Sequence, residues 1–99
     1  MNVSRSDKQY DIAEHLRSPE EMAAYLEACF EDENMDAAFI ARAIGDIALA
    51  SGMSKVARDT GLSCESLYKT FSGERNPRFD TILKVMRALG LELHAKVAN

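Results

Sequence analysis

The sequence predicts an all-α domain of five helices, with a helix-turn-helix in its second half and a short β-strand at its C-terminal end. Three observations carry this. Between residues 18 and 90 apolar residues recur at spacings of three and four, the period of helices with one buried face. Residues 53–73, Met-Ser-Lys-Val-Ala-Arg-Asp-Thr-Gly-Leu-Ser-Cys-Glu-Ser-Leu-Tyr-Lys-Thr-Phe-Ser-Gly, have the residue types of two short helices joined by a tight turn. Residues 91–97 alternate apolar and polar residues, the period of a half-buried strand. With 99 residues, 46% of them apolar and 28% charged, the chain should fold around one core rather than stay disordered.

Residues 1–10 carry little pattern and read as a flexible tail, followed by a helical domain over 11–90. Asp11 to Leu16 reads as a short turn of helix. Ser18-Pro19-Glu20-Glu21 is a helix start: Ser18 caps free N–H groups, Pro19 suits the first helical position and Glu21 completes a capping box. Met22, Leu26, Cys29 and Phe30 then share one face of a helix running to about Asp32. Asp36 caps the next helix, whose buried face is Phe39, Ile40, Ala43, Ile44, Ile47 and Ala48, and Ser51-Gly52 ends it. After the turn motif, Gly73 to Pro77 reads as a loop. Phe79, Ile82, Leu83, Met86 and Leu89 mark a fifth helix closed by Gly90.

Leu91-Glu92-Leu93-His94-Ala95-Lys96-Val97 is the expected strand. A lone strand leaves its backbone groups unpaired, so it calls for a partner strand from a second copy of the chain or from another protein's sheet. An extended tail packed by Leu91 and Leu93 is the plainer alternative.

Within the motif, Ser54 is expected to cap a first helix over Lys55–Thr60, with Val56 and Ala57 facing inward. Gly61 supplies a left-handed turn residue, Leu62 plugs the space beneath it, and Ser63 caps the second helix. Leu67 and Phe71 anchor that helix at a four-residue spacing, leaving Cys64, Glu65, Ser66, Tyr68 and Lys69 outside. Such a motif sets its second helix in the major groove of double-stranded DNA. Lys69 would reach a guanine or a phosphate, Tyr68 a thymine methyl or a phosphate, and Glu65 a cytosine amine or a neighbouring cation. Ser54, Ser63 and Ser66 complete the candidate DNA-contacting set, with Lys55, Arg75 and Arg78 as flanking phosphate contacts.

The overall charge of −4 is unevenly placed. Residues 1–52 hold 4 Lys+Arg and 11 Asp+Glu, a net of −7, whereas residues 53–99 hold 8 and 5, a net of +3. The basic excess begins where the motif begins, as phosphate binding requires. The acidic half suits a basic protein partner, with Glu20, Glu21, Glu27 and Glu31 as candidate contacts, or is simply a solvated helix face.

Cys29 and Cys64 form no C-x-x-C pair and lie far from His15 and His94, so neither a metal site nor a disulfide framework is expected. Cys29 falls on an apolar helix face and reads as a small core residue. No Gly-rich phosphate loop or grouping of catalytic residue types occurs, so neither an enzyme nor a cofactor is expected. No apolar run approaches a membrane span or a signal segment, and a soluble cytoplasmic protein is the expectation.

From Pro19 to Leu91 the chain resembles the HigA-like addiction-module antidote proteins, a branch of the Xre/lambda-repressor-like helix-turn-helix families. The residues that carry the resemblance are Ser18-Pro19-Glu20-Glu21, Tyr25-Leu26-Glu27-Ala28 and Ala43-Ile44-Gly45-Asp46-Ile47-Ala48, then Gly52-Met53-Ser54 and Thr60-Gly61-Leu62-Ser63. Glu65-Ser66-Leu67-Tyr68-Lys69 and the run Asn76-Pro77-Arg78-Phe79-Asp80-Thr81-Ile82-Leu83-Lys84-Val85 complete it. The resemblance implies a lambda-repressor-like bundle and the antitoxin of a type II toxin–antitoxin operon. Such a protein neutralises a small RelE/HigB-like toxin and represses its own promoter as a homodimer. Family members often have Arg where this chain has Cys64, which implies either a different operator sequence or a lower affinity for DNA. Two other readings fit the same residues: a stand-alone Xre-type regulator, and a toxin-neutralising module without operator binding.

Overall fold

The computed structural model describes residues 16–72 and 76–98. The expected tail over 1–10, most of the turn over 11–16, and Arg75 lie outside the described residues. Five helices are described: α1 (Pro19–Phe30), α2 (Ala37–Ser51), α3 (Met53–Thr60), α4 (Cys64–Thr70) and α5 (Phe79–Ala88).

Local hydrogen bonding explains where they begin. The Glu21 N–H donates to Ser18 Oγ at 3.2 Å, and the Glu21 carboxylate accepts from the Arg17 N–H at 2.9 Å. This is the expected capping box, closed one residue further upstream than the usual form. Asp36 caps α2 by accepting from the Phe39 N–H at 2.8 Å, and Ser63 caps α4 by accepting from the Ser66 N–H at 3.0 Å. The end of α5 is a Schellman motif: Leu91 N–H donates to the Met86 carbonyl at 2.8 Å and Gly90 N–H to that of Arg87 at 3.0 Å.

The cap of α3 differs from expectation. Met53 already belongs to the helix, and Ser54 is an exposed first-turn residue with no capping role. Gly52 both closes α2 and opens α3, taking φ 104°, and the two helix axes meet at 104°. With one residue serving both ends, the Lys55 and Val56 N–H groups share the Gly52 carbonyl, each at 3.1 Å.

The core joins Leu16, Met22, Leu26 and Cys29 to one side of α2, to Val56 of α3, to Leu67 and Phe71, and to Val85, Met86 and Leu89. α2 packs on α1, α3 and α4, and α3 also packs on α4 and α5. At the α2–α4 crossing Gly45 is the enabling residue. A Cβ there would lie 3.0 Å from Phe71 Cβ and 3.3 Å from its carbonyl oxygen, so a side chain at this point would press the end of α4 away by a few tenths of an ångström.

Three apolar residues assigned to buried faces are exposed. Phe30 ends α1 with 42% of its surface open, and on α5 Phe79 is 65% exposed and Leu83 also faces outward. Val85, at 0%, is the residue α5 buries most deeply. The buried stripe of α5 is therefore Ile82, Val85, Met86 and Leu89, a helical i, i+3, i+4, i+7 set.

The strand expected over 91–97 is not formed: the described residues contain no strand, and no backbone hydrogen bond joins residues 92–98 to another described residue. A single chain offers this segment no second strand, and a ladder needs one. Leu91 is half-buried against the core, while Leu93 and Val97 are exposed. No single helix among the described residues is long and apolar enough to cross a membrane.

Candidate functional site

Two surfaces on separate elements collect the candidate residues. The first is the edge formed by α3, the turn Gly61–Ser63, and α4. Gly61 takes the left-handed conformation, φ 77°, and its N–H closes α3 on the Ala57 carbonyl at 2.9 Å. Thr60 braces the turn from within: its hydroxyl donates to the Val56 carbonyl at 2.8 Å and accepts from the Leu62 N–H at 3.3 Å. Leu62 packs partly buried against the core, as its role beneath the turn requires.

Leu67 is completely buried and Phe71 nearly so, which fixes the roll of α4 about its axis. Glu65, Ser66, Tyr68 and Lys69 consequently face outward, Tyr68 with half of its surface open. Cys64 departs from the expected outward position: it is half-buried and packs on the core. Its spacing to Leu67 and Phe71, three and then four residues, puts it on their buried stripe, a signal already visible in the sequence.

The cations of this edge are paired. Lys55 meets Asp59 at 3.1 Å and Lys69 meets Glu65 at 3.5 Å, and beyond the edge Arg78, at the start of α5, meets Asp80 at 3.1 Å. The Arg78 guanidinium beside Asp80 holds its carboxyl below the usual carboxylate range. All these groups are solvent-exposed, and water and salt screen pairs of this kind, so an approaching anion displaces the carboxylate at little cost. Arg58, exposed on α3, adds a cation that the sequence reading passed over.

The second surface is a groove between α1 and the segment 90–96, about 760 Å³ in volume. Glu20, Glu27 and Glu31 line it, together with Phe30, Leu91 and Leu93. Glu21 does not; it turns back to close the cap of α1. Three of the four acidic residues that the sequence points to thus share one groove with the C-terminal segment, whereas the sequence offers helix and segment as separate alternatives. Phe30 is not among the contacts the sequence points to, because its place in the groove depends on how the segment folds back over α1.

Between these surfaces, the Tyr25 hydroxyl donates to Asp46 Oδ2 at 3.1 Å, tying α1 to α2. Burial, and then the Asp46 charge, push the Tyr25 phenol well above its ordinary range. Burial likewise raises the neighbouring Cys29 thiol, in keeping with a core residue rather than a reactive one. Among the described residues no three His, Cys, Asp or Glu side chains converge to hold a metal ion.

The described residues thus form a small helical protein with two surfaces, one edge rich in paired cations and one acidic groove. Residues 6–97 match the model of a family described as probable addiction module antidote proteins, of the HI1420 type. A protein of Haemophilus influenzae, itself uncharacterized, is 47% identical over 89 residues, which cover 90% of each chain. No solved structure matches. The chain belongs to this family of addiction module antidotes, the antitoxin halves of toxin–antitoxin pairs, and the family implies a regulatory protein with a toxin partner.

Proposed function

We propose that the protein is the antitoxin of a type II toxin–antitoxin system that also represses its own operon, using α3 and α4 as a DNA-binding helix-turn-helix. The observation that carries this is the roll of α4: Leu67 and Phe71 are buried, and Glu65, Ser66, Tyr68 and Lys69 lie together on the open side. Residues near the start of a second helix held in this way meet base edges in the major groove. Tyr68 and Lys69 are the strongest base-contacting candidates, with Glu65 and Ser66 beside them. Ser54, Lys55, Ser63, Arg75 and Arg78 are assigned to the phosphates. Cys64, half-buried, contributes packing more than contact.

The operator is double-stranded DNA, and a homodimer would span half-sites about 34–36 Å apart. The toxin is of the RelE/HigB-like kind, and α1 with the C-terminal segment is the surface assigned to it. The test is binding of the purified protein to its own promoter and to the product of the neighbouring reading frame. Sequence-specific DNA binding together with a stable complex supports the reading.

A second reading, a toxin-neutralising module without operator binding, is favoured by one observation. Lys55, Lys69 and Arg78 each already face a carboxylate within 3.1 to 3.5 Å, which weakens the field that DNA meets. Toxin binding with no promoter shift would establish it.

A further inference from the structure

The groove between α1 and the C-terminal segment has an order that the fold does not need. Glu20, Glu27 and Glu31 are spaced seven and four residues apart, so on a helix they fall within about 20° of a single line and run for roughly 16 Å. Glu20 and Glu27 lie on α1 and Glu31 is its C-cap, still in the right-handed helical conformation, so the three form an acidic ridge along the helix. Beside the ridge, Phe30 of α1 and Leu93 of the facing segment are each more than two-fifths exposed, although both line the groove. Glu92 adds a fourth carboxylate, bonded at 3.2 Å to His94, and Lys96 is the one Lys or Arg in the lining.

We infer that this groove is the docking site for a basic amphipathic helix of the toxin, an inference that rests on the antitoxin reading above. Charge complementarity selects the occupant's chemistry: a ridge of carboxylates with one lysine opposite attracts cations and repels acidic surfaces, including the acidic half of a second copy of this chain. Geometry selects its shape. A straight acidic line at helical spacing is matched by Lys or Arg residues repeating at helical spacing on a helix laid along α1. An apolar residue on the same helix would enter between Phe30 and Leu93 and supply the anchor, while the charges set register and speed the encounter.

The test uses the full chain and the purified product of the neighbouring reading frame, with titration calorimetry at two salt concentrations. Two variants are compared with the natural protein: E20Q/E27Q/E31Q, which keeps side-chain size at exposed positions, and Leu93→Ser, in a segment without secondary structure. Circular dichroism and promoter binding report whether each stays folded and active elsewhere. The expected result is toxin affinity lower by roughly 30-fold for the triple variant, with a shallower salt dependence, and about tenfold for Leu93→Ser. Promoter binding stays unchanged in both. A loss below fivefold in the triple variant, with toxin bound by the natural protein, overturns the groove assignment and leaves the antitoxin reading standing. No binding by the natural protein overturns both. Hydrogen-exchange protection at alternate amides of residues 92–97 in the complex would overturn the helical occupant in favour of strand addition. A change in the free protein's own mass in the triple variant would make the occupant a second copy.

Discussion

The α3–α4 edge and the groove between α1 and the C-terminal segment are built in opposite ways. The edge is rigid from below: Leu67 is fully buried, Gly45 admits Phe71 at van der Waals contact, and Thr60 and Gly61 lock the turn. The groove has one helical wall, and its other wall is a segment pinned by the Schellman motif at Leu91 and held by no backbone hydrogen bond among described residues after that. On the proposed function, the surface that needs fixed geometry is the one placed over the core, and the surface that would adapt to a partner is the one built from a segment with little structure of its own.

The largest effect that would break this contrast is on Leu67. Leu67→Ala should destabilise the fold by about 3 kcal/mol, since it opens a cavity beneath α4 in a side chain that is fully buried. Urea denaturation would measure it, and an equally large loss for Leu93→Ala would erase the distinction between the two surfaces. Gly45→Ala comes next, at about 2 kcal/mol, because its methyl group meets the Cβ and backbone of Phe71 rather than a yielding side-chain tip. Gly61→Ala should cost about 1 kcal/mol through its positive φ alone, with open space around the new methyl, and thermal unfolding would rank the two glycines in that order.

A smaller effect comes from Tyr25, which ties α1 to α2 through Asp46. Its folded pKa is raised, so the native state keeps the phenolic proton that the unfolded chain releases above pH 10, the ordinary tyrosine value. The stability contributed by the hydrogen bond to Asp46 is therefore fully present below pH 10 and is lost as the pH rises beyond it. Tyr25→Phe should lower stability at pH 7 by about 1 kcal/mol and flatten the alkaline decline, which unfolding midpoints between pH 8 and about 11 would reveal.

What the sequence made legible was local. Ser18, Asp36, Ser63, Gly61 and Gly90 act within three or four residues of themselves, so their roles follow from hydrogen-bonding chemistry without any knowledge of the fold. Ser54 failed as a cap because Gly52 serves two helices at once, which depends on how sharply α3 turns from α2. Phe30, Phe79 and Leu83 have the periodicity of core residues, yet coverage is decided by which neighbour arrives, and periodicity does not report that. The groove was half legible. Glu20, Glu27 and Glu31 could be picked out by charge and spacing, but not the segment that folds across from them. On the α3–α4 edge the outward residues follow from Leu67 and Phe71, whereas the carboxylate beside each cation emerges only with the side chains in place.

On the proposed function, α3 and α4 carry DNA binding and the acidic groove does not. The most direct measurement is promoter affinity across a salt series for the natural protein and for the double variant Lys55→Ala/Arg78→Ala, with toxin binding followed in parallel. Each lysine or arginine lost from a phosphate contact should lower the slope of log affinity against log salt by about one unit, so the double variant should lose about two. Its toxin affinity should stay unchanged. An unaltered salt slope, or a parallel loss of toxin binding, would contradict the claim.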